Sequence, residues 1–190
     1  MARPSGRNIR QMVLDETRLA VQTGGVNGFS YGDLAQRIGI KAPSIHHHFR
    51  RKEDLVAETA DAYREHFDER VGAIDADGTI ARLTAYGELF LSPADDGLLC
   101  FCGAAAAGWD DLSAEARVSI RSFFDAQLAW VGATMADGQR AGELAPDVDI
   151  DSASFAFVSA LEGALLLART NGRAVDPGVV VPTLLAQLTG

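Results

Sequence analysis

Along most of this chain, apolar positions recur every three or four residues, a spacing that predicts a succession of helices and no strands. From Asn8 to Thr23, Ile9, Met12, Val13, Thr17, Ala20 and Val21 share one face, and Gly24-Gly25 supplies a stop. In "GFSYGDLAQRIGI", Ser30 and Asp33 have the spacing of a capping box, Leu34, Ala35 and Ile38 form an apolar face, and Gly39 breaks the helix predicted over Tyr31–Ile38. "KAPSIHHHF" follows. Its Pro43 suits a first helical turn, Ile45 and Phe49 point inward at i and i+4, and the histidines mostly face out. Two short helices around a Gly-containing turn make a helix-turn-helix.

From Lys52 a long amphipathic helix of about six turns is expected, with Val56, Thr59, Tyr63, His66, Phe67 and Ile74 on its apolar side. Further helices are predicted near Thr79 to Ser92, Leu98 to Gly108, Ser113 to Gly138, Ser152 to Thr170 and Pro177 to Leu188. The separators "PADDG", "GWDDLS" and "AGELAPDVDID" are rich in Gly, Pro and Asp, as helix connections are. The fold class is all-α, with an N-terminal three-helix module followed by a larger helical domain.

Composition agrees: among 190 residues 47% are hydrophobic and 7% aromatic, which suits a helical chain with a full core. Charge changes the picture more. The formal net charge is -9, yet residues 1–52 hold nine Lys/Arg against three Asp/Glu, a balance of +6, and the remainder holds eight against 23, or −15. A basic module on an acidic body fits a nucleic-acid binder, because the field at the contact surface decides binding. The amino-terminal residues lack the apolar core of a secretory signal and no uncharged apolar run reaches membrane length, so a cytoplasmic location and no membrane partner are expected.

The order of elements and the run "FSYGDLAQRIGIKAPSIHHHFRRKEDL" resemble the TetR family of transcriptional regulators, over about residues 9–56. "GELAPDVDIDSASFAFVSALEGALLLAR" resembles the family's penultimate helix more weakly. The resemblance implies about nine helices, a DNA-binding domain over residues 1–52, and an effector-binding and dimerisation domain over 53–190. It also implies a symmetric homodimer on a palindromic double-stranded DNA operator, released by a small-molecule effector, with no catalysis and no cofactor. By register, Lys41, Ala42, Pro43 and Ser44 occupy the base-reading stretch, and His46, His47 and His48 replace an aromatic run. Ser30, Tyr31 and Lys52 fall where the family meets phosphate, using helix N-termini and positive charge. Arg50 and Arg51 stand where Pro-Ser is common and add backbone attraction, so Arg51 joins the expected interface.

Other chemistry competes at two places. Adjacent histidines on a helix point about 100° apart, so "HHH" cannot close on one ion without a break in the helix, and no metal site is expected. Cys100 and Cys102, in "CFC", could sense oxidants or soft metals, or simply line a core or pocket. Together with Phe90, Trp109, Phe123 and Trp130 they form the expected effector lining, suited to an apolar ligand. The expected dimer face lies on the Ser152–Thr170 segment: Phe155, Ser159, Glu162, Gly163 and Leu166, where small residues allow close approach and large ones supply apolar area. A Cys-x-Cys redox or metal-responsive regulator, or an effector-free DNA-binding protein, remain the alternatives.

Overall fold

The computed structural model describes residues 6–171 and 176–188, and all regular structure among them is helical. The α-helices are α1 (Gly6–Gly24), α2 (Tyr31–Ile38), α3 (Ala42–His48), α4 (Lys52–Gly72), α5 (Thr79–Leu91), α6 (Phe101–Ala106), α7 (Ala114–Ala141), α8 (Ile150–Asn171) and α9 (Pro177–Leu185). Short 3₁₀ turns occupy Ser92–Asp96 and Trp109–Asp111. The second of the predicted helices starts and ends where the sequence put it. The helix expected from Leu98 is shorter, because the 3₁₀ turn around Pro93 closes on a left-handed Gly97 and Leu98–Cys100 run without helical bonds before α6. His66 faces solvent rather than the apolar side of α4.

By compactness the chain groups differently from a split after Lys52. One unit combines residues 1–66 with 101–122, and the other combines 67–100 with 123–190, so α4 and α7 are each divided between them. In the first unit, α1 packs against α2, α3 and α6 over a core of Val13, Val21, Leu34, Ile45, Phe49 and Leu55. The loop after α1 is tied down by Asn27, whose Nδ2 donates to Asp111 Oδ2 at 2.7 Å. Asp111 therefore has a structural partner 84 residues away. Gly108 makes this approach possible: a Cβ there would stand 2.7 Å from Val26 Cγ2.

The second unit is an aromatic core. Tyr86, Phe90, Phe123 and Leu161 are buried, and Phe67 meets the rings of Tyr86, Phe90 and Phe123 edge-on at centroid separations of 6.2, 5.9 and 5.3 Å. Helix α5 packs on α8 and α9. Its first turn has no capping side chain at Gly78, and Glu143 supplies one from a distance, accepting from Thr79 N–H at 2.8 Å.

Candidate nucleic-acid interface

The helix-turn-helix is built by local rules. Ser30 caps α2: its Oγ accepts from Asp33 N–H at 3.3 Å, while the Asp33 carboxylate accepts from Ser30 N–H at 2.8 Å and Ser30 Oγ–H at 2.6 Å. The Ser30 hydroxyl hydrogen bond, followed by the backbone one, holds the Asp33 carboxyl below the usual carboxylate range. Gly39 ends α2 at φ 76, a conformation cheap only for glycine, and its N–H returns to Ala35 and Gln36 carbonyls. Helix α3 then starts at Ala42 with Pro43 in its first turn and is anchored by buried Ile45, with Phe49 closing it.

Anchoring one face leaves the other in solvent. Lys41, Pro43, His46 and His47 are exposed, and Ala42, Ser44 and His48 are partly so. The histidines are not equivalent. His46 packs edge-on against Tyr31, ring centroids 4.6 Å apart, and His47 meets His48 at 5.3 Å. Burial, then the charges of Asp54 and Glu53, push the Tyr31 phenol up to about 12, so it stays protonated, and its buried hydroxyl has no hydrogen-bond partner among the described residues.

The basic residues divide into engaged and free. Lys52 is turned inward: its Nζ donates to Phe29 carbonyl at 2.6 Å and lies 4.1 Å from the Phe29 ring centroid. Burial lowers its pKa from the ordinary lysine value. Arg51 holds the Asp54 carboxylate with two bonds, Nε at 3.1 Å and Nη2 at 2.5 Å. Arg10 pairs with Glu58 and Arg37 with Glu16. Lys41 and Arg50 are exposed, and their side chains carry no hydrogen bond or ion pair among the described residues. Sequence register had singled out Lys52 and Arg51 ahead of Arg50. Nothing in the local sequence signals that Phe29 would capture Lys52.

Two family models match the chain: one described as bacterial regulatory proteins, tetR family, over residues 13–59, and one as tetracyclin repressor-like, C-terminal domain, over residues 79–179. The chain belongs to the TetR family. It is a TetR-family DNA-binding transcriptional regulator, with the helix-turn-helix inside the first match and most of the second unit inside the other. Solved structures of TetR-family regulators share the fold. One from Agrobacterium tumefaciens superposes with a TM-score of 0.91 at 26% identity, covering 98% of this chain and 100% of that one. A TetR regulator from Chloroflexus aurantiacus gives 0.82 at 23% identity, covering 97% of each chain. A third, from Legionella pneumophila, gives 0.84 at 21% identity over the full length of both. No curated protein matches the chain.

The expected effector lining is split by the TetR architecture. Phe90, Cys100, Phe123 and Trp130 belong to the second unit, whereas Cys102 and Trp109 belong to the first. Trp109 carries the guanidinium groups of Arg117 and Arg121 at 5.7 and 5.8 Å from its ring centroid, and Arg117 Nε donates to its carbonyl at 3.0 Å. Of the expected dimer face, Phe155, Ser159 and Leu166 are exposed and Gly163 is half-buried, with nothing within 4 Å of where its Cβ would stand. Glu162 differs. It is half-buried, its Oε1 is enclosed, and it lies beside buried Leu161 and Leu165 on α8; burial raises its carboxyl above the usual range.

Proposed function

We propose that this regulator acts as a homodimeric repressor that binds a palindromic operator and releases it when a small molecule occupies the second unit. The observation that carries the DNA half of the reading is the solvent face of α3, where Lys41, Ser44, His46 and His47 stand clear of the Ile45–Phe49 anchor, flanked by the free Arg50. A recognition helix presents base-reading groups in this way, with phosphate donors beside them.

The dimer half rests on α8. Phe155 is 65% exposed, Leu166 54% and Leu167 61%, and on α9 Val179 is 61% exposed. Such residues at helical spacing form an apolar stripe of the kind that marks an interaction surface. Helix α8 is also long and apolar enough to cross a membrane by length and composition. A second copy fits it better, because its other face is already committed to protein through Val158, Leu161 and Leu165 and it carries Glu162 at mid-length.

Release requires an effector that binds more tightly to a conformation whose paired recognition helices no longer match the operator. The test is recovery of bound genomic fragments with the purified protein, followed by affinity measurements on the enriched site. Enrichment of a palindromic sequence bound by two copies is the expected result. Uniform retention of unrelated DNA would refute a specific repressor.

A further inference from the structure

Three of the chain's four histidines fall in the last turn of α3, the helix whose buried Ile45 and closing Phe49 leave its other face in solvent. His46 and His47 are exposed and His48 is half-buried, while the fourth, His66, is exposed on α4. Imidazole is the side chain that gains or loses its charge between about pH 5 and 8, so the solvent face of α3 can change its charge without any change of fold.

What surrounds the run decides whether that charge is balanced inside the chain. The recorded partners of the rings are other rings: His46 meets Tyr31 edge-on at 4.6 Å and His47 meets His48 at 5.3 Å. Tyr31 stays protonated, its phenol held at about 12 chiefly by burial. The charged groups on the elements packed against α3 are committed elsewhere. On α2, Asp33 is bound to Ser30, and Arg37 to Glu16 of α1. On α1, Arg10 pairs with Glu58 and lies over the Phe49 ring, Asp15 accepts from Gln11, and Arg18 donates to Gln22. At the start of α4, Arg51 holds Asp54 and the Phe29 carbonyl holds Lys52, while Glu53 is exposed. Lys41 and Arg50 flank α3 in solvent. Among the described residues no ion pair joins a carboxylate to any of the three imidazoles. A positive charge gained on this face is left for an anion from outside the chain.

We infer that DNA binding by this protein takes up protons at His46 and His47, so that the helix facing the operator itself makes binding tighter as pH falls. The inference rests on the reading of α3 as the DNA-facing helix, and it adds an input separate from the small-molecule effector. Approach of the phosphate backbone favours the imidazolium form, and each proton comes from solvent. An imidazolium also offers two N–H donors where the neutral ring offers one. A group that holds its proton more tightly in the complex strengthens binding at low pH, and that contribution is lost as pH rises through its range in the complex. Carboxylate, ammonium and guanidinium side chains as classes change charge outside the imidazole window, so a response between about pH 6 and 8 points to histidine, and variants separate this run from His66 and the amino terminus.

The experiment is fluorescence anisotropy of the full chain at fixed ionic strength, from about pH 8 to pH 6. The probes are a labelled duplex enriched from genomic fragments and a scrambled duplex of the same composition. Uptake of one proton per bound dimer over one pH unit is a tenfold gain, and with two exposed imidazoles in each subunit the wild-type affinity is expected to rise by at least about tenfold across the range. His46→Gln/His47→Gln keeps polar side chains that do not titrate, and its affinity is expected to vary by less than about threefold. His66→Gln is expected to keep the wild-type slope. Thermal melts at each pH confirm that both variants are folded. Level wild-type affinity on both duplexes would overturn the inference. So would a larger pH response in the double variant, or loss of the slope in His66→Gln. Uniform affinity for the two duplexes refutes the operator reading, whereas the pH slope on either duplex judges the histidines by itself. A chain that retains neither duplex overturns both.

Discussion

Lys52 and Arg50 lie two residues apart, and the structure assigns them opposite work. Lys52 joins the first turn of α4 to Phe29 through one charged hydrogen bond of 2.6 Å and one ring contact of 4.1 Å. A charge-assisted hydrogen bond contributes about 1.5–3 kcal/mol and a cation–π contact about 0.5–1 kcal/mol at an exposed site, and partial solvation of the lysine reduces both. Lys52→Met keeps the aliphatic stem and is therefore expected to cost about 2 kcal/mol, which for a chain of this size lowers Tm by about 4–8 °C. Arg50 is exposed and unpaired, so Arg50→Ala leaves Tm within about a degree, as surface substitutions do. Operator binding reverses the order. Each lost phosphate contact flattens the log–log salt slope by about 0.9, so removing one per subunit of a dimer flattens it by about 1.8. Between about 50 and 200 mM salt, the ratio of wild-type to Arg50→Ala affinity should then shrink by about twelvefold, whereas for Lys52→Met it should stay constant. Fluorescence anisotropy across a salt series, with melts on the same preparations, measures both quantities. A Lys52→Met slope as flat as that of Arg50→Ala, with an unchanged melt, would show that Lys52 leaves Phe29 for phosphate and that the division is wrong.

Leu166→Glu puts a charge on the exposed stripe of α8 and is expected to give folded monomers with operator affinity reduced at least about tenfold, read by sedimentation and anisotropy. Ser30→Ala removes the capping box at α2 and should cost about 1 kcal/mol in denaturant unfolding. Glu162→Gln should change the pH dependence of stability. The folded carboxyl titrates above its unfolded value, so wild-type stability falls as pH rises from the unfolded pKa through the folded one, and the variant escapes that loss. It should therefore melt higher than wild type at neutral pH and equally at pH values below both. Gly138→Val should destabilise the second unit by at least about 1–3 kcal/mol, since a Cβ at 138 would already stand 2.8 Å from Thr79 Cβ.

The sequence alone determined whatever is governed by near neighbours. Helix positions followed from apolar spacing, the start of α2 from the Ser30–Asp33 pair, and its end from Gly39, because caps and periodicity act over four residues or fewer. The recognition surface of α3 was legible for the same reason: Ile45 and Phe49 fix which side is buried, and the rest must face out. The exposed stripe of α8 was legible in part, since its apolarity exceeds what one face of a helix can bury. Which individual residues face which way on that helix was not. Glu162 sits among candidates for a shared surface, and only tertiary packing encloses its Oε1. The same holds for Lys52, captured by a carbonyl 23 positions away, for Asp111 held by Asn27 across 84, and for the capping of α5 by Glu143 across 64. Charge and hydrogen-bonding capacity are properties of the residue type. The partner that uses them is chosen by chain segments distant in sequence, and no local pattern encodes that choice.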